Sequence, residues 1–407
     1  MSRWWGEKEE MMRLTPKNEL EYRYRKLQSE MAAAGVDAVI MVQNADLFYF
    51  TGTVQAGHLY LPVSGEPIYL VRRDYMRARM ESALAQVHPC SSLTDLPTLL
   101  AEHGCGAPKR LGLELDVLPV NLYRKYLSLY PSAELLDASP MIRRVRMVKT
   151  HYEIHIMQDA GNQADKVYRR AKECIREGMS ELEVAAELDH LARLEGHQGY
   201  LRMRAFNGEL TAGQVLAGAD AAAPACTNTA LGGMGVTPAF GHGASYNRIR
   251  RGEPVVVDFA SCFDGYLADQ TRIFAIGSVS ERMRRGYDDM LRIEALMMEM
   301  AVEGGSWGGI YHACLQLARE MGYAENFMGT PGNQVPFIGH GIGIEIDEYP
   351  FIARGFEKET LRPGMAFAFE PKLVFPGEGA VGIENSFYLS EQGLKRLTFS
   401  SQDLVLL

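Results

Sequence analysis

Cysteine is scarce in this sequence, and its few copies are scattered. Cys90, Cys105, Cys174, Cys226, Cys262 and Cys314 are the only six in 407 residues, and none belongs to a CxxC word. That spacing excludes a zinc knuckle and offers no disulfide framework, so a reducing, cytoplasmic setting is expected. No apolar run approaches the roughly 20 residues that a membrane span needs. The opening "MSRWWGEKEEMMRL" is charged throughout and lacks the apolar core of a secretory signal. Positive charge is not in excess either. Lys and Arg number 42 against 51 Asp and Glu, a formal net charge of -9, which argues against nucleic acid as the principal partner.

What is present is an ordinary globular composition, 47% apolar and 23% charged, in a chain long enough for two or three domains. Over residues 20–138 an amphipathic "LEYRYRKLQSEMAAAG" and a helix-like "DYMRARMESALAQ" alternate with strand-like "DAVIMV", "HLYLPV", "PIYLV" and "RLGLEL". That alternation predicts an α/β domain. A basic segment over residues 141–150 marks the boundary, giving domains at 1–145 and 146–407. Two long helical patterns follow, 150–177 and 180–195, the second opened by the capping-box word "SELE". Glycine- and alanine-rich sequence, strand hairpins and a helix pair over 281–321 come next. Hairpins and helices in separate blocks indicate α+β organisation for this part. The methionines of "ALMMEMA" read as core packing, since methionine fills irregular gaps.

The chemistry starts at "VVVDFASCFDGYLADQTRIF", where Asp258 and Asp269 interrupt runs that otherwise read as buried strands. The Asp-Gly word between the runs signals a tight hairpin. With the turn centred between Phe263 and Asp264, the two aspartates fall directly opposite each other, a destabilising arrangement unless a cation lies between them. A pairing of one aspartate with Arg248 or Arg272 is the plain alternative. A second hairpin, "MAFAFEPKLVFPGEGAVGIENSFYL", centred on Gly377, sets Glu370 opposite Glu384, with small residues beside each. A third word, "FIGHGIGIEIDEYP", places His340 in a glycine-bracketed loop before an alternating strand. Four carboxylates and one imidazole form a hard ligand set suited to manganese, cobalt or zinc, and they balance the charge of two divalent ions. Two such ions, held roughly 3.5 to 4 Å apart, can share a water made nucleophilic near neutral pH.

The order Asp, Asp, His, Glu, Glu and the words "DFASCFDGYLADQTRIF", "GHGIG", "EP" and "GIEN" resemble the pita-bread metallopeptidases: proline dipeptidase, aminopeptidase P and, more distantly, methionine aminopeptidase. "GVDAVIMVQNADLFYFTG" resembles that family's creatinase-type N-terminal domain, and "IRRVRMVKTHYEIHIMQDAGNQAD" resembles the entry to its catalytic domain. The resemblance implies an N-terminal α/β creatinase-like domain and a C-terminal pita-bread domain. It implies that Asp258 chelates one metal, that Asp269 and Glu384 bridge both, and that His340 and Glu370 hold the second. Glu370 would also act as general base toward the bridging water and pass the proton to the leaving amine. A homodimer is implied as well.

The sequence departs from that pattern at three places. Where the family has a second histidine seven positions after the metal histidine, this chain has Asp347, expected to line the pocket. The family's upstream histidine has His242 as its candidate, although "AGADAAAP" could put Ala225 at that place. The arginine two residues before the last glutamate is Gly382 here. Arg202 and Arg204 in "LRMRAFN" read as exposed, with a role opposite a substrate carboxylate as the alternative. The leading expectation is a dinuclear metallohydrolase that cleaves short peptides before proline by a metal-bridging hydroxide. Another enzyme on the same scaffold, a lyase or amidinohydrolase of a small non-peptide acid, and a non-catalytic peptide-binding module are the alternatives. Metal analysis separates the last from the others.

Overall fold

The computed structural model describes residues 12–407; residues 1–11 of the charged opening lie outside the described residues. The described chain forms two compact units, one running to Arg146 and including Ala205–Asn207, the other made of Met147–Arg204 and Gly208–Leu407.

The first unit is built on a six-stranded sheet: β1 (Ala38–Met41), β2 (Gly57–Pro62), β3 (Ile68–Val71), β4 (Gln86–Pro89), β5 (Arg110–Leu113) and β6 (Glu134–Asp137). Their order is β4-β3-β2-β1-β5-β6. The pairs β1/β2 and β2/β3 are antiparallel, and the other three are parallel. Ile40, Leu70, Leu111, Leu113 and Tyr126 close the core on one side of this sheet. The amphipathic opening forms helix Lys17–Ala34, which stops at Gly35 because its φ of 66° turns the chain left-handed and returns the amide to the Ala32 and Met31 carbonyls. The helix expected over "DYMRARMESALAQ" is shorter, Tyr75–Glu81, since Ser82 is already extended and Gln86 begins β4.

In the second unit, helices His151–Cys174 and Glu181–Leu194 pack on a four-stranded sheet. The capping box at the second helix is formed: Glu183 N–H donates to Ser180 Oγ, and Ser180 N–H donates to the Glu183 carboxylate. The sheet contains β7 (Gly213–Ala217), β8 (Pro254–Phe263), β9 (Tyr266–Ala275) and β17 (Val405–Leu406), in the order β17-β9-β8-β7. A five-stranded sheet contains β10 (Phe337–Ile342), β11 (Ile346–Ala353), β12 (Ala366–Phe369), β15 (Asn385–Ser390) and β16 (Gly393–Arg396), in the order β11-β10-β12-β15-β16. Strands β13 (Lys372–Phe375) and β14 (Gly379–Gly382) pair with each other. Helices Glu281–Met300 and Trp307–Glu320 supply Met290, Met297 and Ile310 to a core shared with Phe367, Phe369 and Phe387. The methionine run is therefore core at Met297 but not throughout, because Met298 is 40% exposed.

Candidate metal centre

The first hairpin differs from the expected register by one step. Asp264 and Gly265 are the two turn residues, with φ of 43° and 84°, as a two-residue turn of the primed type requires. Phe263 then pairs with Tyr266, Ala260 with Asp269, and Asp258 with Thr271. Asp258 and Asp269 consequently share a face as diagonal neighbours instead of sitting opposite each other, a spacing of roughly 7 to 8 Å that eases their repulsion. The plain alternative of an arginine partner also fails. Arg272 is buried, and its guanidinium donates to the carbonyls of Thr271, Glu384, Ser400 and Ser401 and to the side chains of Gln270 and Asn385. Arg248 reaches the Gly178 carbonyl and Glu183.

The second pair keeps the expected register but not an unbroken ladder. Phe369 pairs with Asn385 and Lys372 with Gly382, so Glu370 lies in register opposite Glu384. Both strands break at the glutamates, and their two ends belong to different sheets. Thr271 and Glu384 exchange backbone hydrogen bonds of 3.4 Å across an isolated bridge, which brings β9 against the glutamate strands. Thr271 Oγ1 also donates to Glu384 Oε2 at 2.7 Å. Ser386 ties the two faces together, accepting from Asp269 N at 2.8 Å and donating to Asp269 O at 3.0 Å.

His340 lies inside β10, not in a loop, and pairs with Ala368 on one side and Phe351 on the other. The flanking glycines permit close strand approach: a Cβ at Gly339 would lie 2.5 Å from the Ala368 carbonyl oxygen, and one at Gly341 would lie 2.2 Å from the Tyr349 carbonyl. His340 Nδ1 is 3.2 Å from its neighbour's carbonyl at Gly341, leaving Nε2 to face Glu370 Oε1 at 3.9 Å and Glu384 Oε1 at 4.0 Å. Asp347 lies against His340. It adopts a φ of 64° at a register shift between β10 and β11 and places Oδ1 3.6 Å from His340 Nδ1. His242 is buried beside the Phe240 ring, its Nε2 without a hydrogen-bond partner in the protein. Arg204 contradicts the exposed reading: its side chain is 4% exposed and lies 3.8 Å from Glu345.

Asp269, His340 and Glu384 each offer a ligand atom within 4.8 Å of the other two, and all three residues are buried. One divalent ion fits this set. Burial, followed by the Glu384 and Asp258 charges, pushes the Asp269 carboxyl well up, against the opposing pull of Lys372. Burial alone would push the His340 imidazole down, but Asp347, Glu370 and Glu384 raise it.

Sequence reasoning missed one residue of this centre, Lys372. Its Nζ donates to Glu370 Oε2 at 2.6 Å, Glu384 Oε2 at 2.9 Å and Asp258 Oδ2 at 3.2 Å, and the side chain is 2% exposed. Burial alone would lower this ammonium's pKa, yet Asp258, Glu370 and Glu384 hold it well above the ordinary lysine value. The signal was the strand period, since a residue two positions after Glu370 shares its face. The ammonium thus lies among the same three carboxylates that the expected second ion would share.

Residues 155–391 match the model of metallopeptidase family M24. The chain belongs to that family. Residues 23–148 match the creatinase/prolidase N-terminal domain, so this M24 protein joins an N-terminal domain of that type to a pita-bread domain. It is 28% identical over 389 residues to the Xaa-Pro dipeptidase of Pyrococcus furiosus, covering 95% of this chain and 100% of that one. Against the Xaa-Pro dipeptidase of Pyrococcus horikoshii the identity is 27%, covering 94% and 98%. Among solved structures, the Xaa-Pro dipeptidase from Bacillus anthracis superposes with a TM-score of 0.81 at 25% identity, covering 95% of this chain and 100% of that one. The prolidase from Pyrococcus horikoshii gives 0.79 at 26%, covering 94% and 100%.

Proposed function

We propose that this M24 protein is a metal-dependent peptidase that hydrolyses the bond before proline in short peptides. The observation that carries the reading is the convergence of Asp269, His340 and Glu384 on one buried point in a chain whose full-length relatives are Xaa-Pro dipeptidases. Those three residues, with Glu370 beside them, would hold the ion, and Asp258 completes the acidic wall. Manganese, cobalt and zinc all suit the donor set. When bound, the ion supplies Lewis acidity toward the scissile carbonyl and toward water.

The chain's own residues divide the remaining work. Glu370 turns Oε1 toward His340 while Oε2 accepts from Lys372, so Oε1 is the atom that takes a proton from the attacking water. As the new C–O bond forms and the C–N bond breaks, the same oxygen returns that proton to the departing proline nitrogen. His242, held neutral by burial and unpartnered at Nε2, is the available donor to the carbonyl oxygen as charge develops there. Asp347 sits against His340 and orients its ring. All six cysteines are free, which supports a cytoplasmic enzyme, and a homodimer is the expected assembly.

The test is hydrolysis of Xaa-Pro dipeptides by protein loaded with manganese, cobalt or zinc, with longer Xaa-Pro peptides and ordinary dipeptides in parallel. Metal-dependent release of proline is the expected result. Absence of any peptide hydrolysis by protein shown to contain metal overturns the reading.

A further inference from the structure

We infer that Lys372 stands in for one of two divalent ions, so that the centre holds a single ion per chain, at Asp269, His340 and Glu384. The inference rests on the metal-centre reading above and adds to it the number of ions and the identity of the other cation.

Three observations carry it. The ammonium has three N–H donors, and each of the three carboxylates at its corner, Asp258, Glu370 and Glu384, provides an oxygen within 3.2 Å. Glu370 and Glu384 divide their oxygens: Oε2 of each accepts from Lys372, while Oε1 of each points toward His340 Nε2. Two carboxylates that face two cations with separate oxygens behave as bridging ligands, and here one of the bridged cations is a side chain. The third observation is Gly382, directly across the strand pair from Lys372. A Cβ there would lie 2.5 Å from the Pro371 carbonyl oxygen and 2.8 Å from Lys372 Cα and Cγ. The strands approach too closely for any side chain at 382, and the lysine stem runs through the space. The basic residue that the resemblance places at 382 is thus supplied from the opposite strand, with its charge delivered among the acids.

The consequence is chemical. An ammonium neutralises carboxylates but has no open coordination position, so it cannot take a substrate atom into its shell as an ion would. Substrate and water would meet one Lewis acid at this centre, flanked by a fixed positive charge.

The experiment counts ions. Purified full-length protein is saturated with manganese, freed of unbound metal by gel filtration, and assayed for metal per chain, and its manganese EPR spectrum is recorded. One manganese per chain with an isolated-ion spectrum is expected. Two per chain with an exchange-coupled spectrum overturns the inference and leaves the peptidase reading standing. No bound metal after saturation with manganese, cobalt and zinc in turn overturns both. Lys372→Gly, checked for folding by circular dichroism, should raise the count from one to two, a twofold change. A folded variant that still holds one ion shows that Lys372 is not what excludes the second, which also overturns the inference. If the variant does not fold, the count and spectrum of the unmodified protein decide the matter alone.

Discussion

Asp258 and Asp269 ride on one unbroken ladder, β8 and β9, with ten residues in each strand, whereas Glu370 and Glu384 sit where two strands break and change sheets. Both pairs concentrate like charges in a buried place. The unbroken ladder relieves the strain by geometry, because the two-residue turn offsets its acids to a diagonal. The broken pair has no such offset, and its glutamates lie in register opposite each other. There a cation is required, and Lys372 brings one from two residues beyond Glu370. Where backbone geometry cannot separate buried charges, a counter-charge must, and the same ammonium also reaches Asp258 of the offset pair.

The comparison breaks most completely at the residues where the two hairpins meet. Asp269→Ala and Glu384→Ala should each remove bound metal and bring peptide hydrolysis below detection, measured as metal per chain and proline released; normal metal content with full activity would refute both assignments. Removing the cation of the broken pair comes next. Lys372→Met leaves two buried glutamates and the partly buried Asp258 facing one another and should cost about 3 to 5 kcal/mol in metal-free denaturant unfolding. Chelation should lower the melting temperature less in the unmodified protein than in this variant, and an equal drop in both would count against the stand-in role.

The aspartate hairpin carries its own pH test. In metal-free protein the Asp269 carboxyl is held well above its ordinary range, so the folded chain binds that proton more tightly than the unfolded chain does. Its contribution to stability is present in full below the unfolded value of about 3.9 and is lost as pH rises toward the folded one. Asp269→Asn should flatten that part of the metal-free stability profile relative to the unmodified protein; superimposable profiles would refute it. Asp347→Asn should weaken metal binding by about tenfold, since it removes a carboxylate set against the imidazole. Titration with manganese measures this, and unchanged affinity would return Asp347 to the role of a strand end. The smallest effect belongs to the turn that sets the diagonal. Gly265→Ala, at a φ of 84°, should destabilise by about 1 kcal/mol in denaturant melts without changing the metal content.

Much of this was legible in the residues. The Ser180 capping box, the alternating elements of the first unit and the opposition of Glu370 to Glu384 all follow from short-range chemistry. The errors have equally local causes. The aspartate register turned on which two residues of "CFDG" take positive φ, and the Asp-Gly pair takes both, moving every cross-strand partner by one step. Glycines on either side of His340 usually mark a loop, yet here they allow strands to approach within a distance that no Cβ tolerates. Lys372 carries none of the acid or imidazole chemistry that marks a metal ligand, although strand alternation puts it on the same face as Glu370. The burial of Arg204 depends on Glu345, far away in sequence, and no local pattern announces it.

The ammonium among three carboxylates also changes what scarcity does to this protein. A free ion leaves its site at a rate set by its affinity, and its occupancy falls with the supply in the surroundings. A cation joined to the chain by four methylenes cannot diffuse away, so that corner keeps one positive charge among its three carboxylates however little metal is available. Starvation would empty only the Asp269, His340 and Glu384 corner, and the protein would wait with its remaining acids already in place for the next ion to arrive.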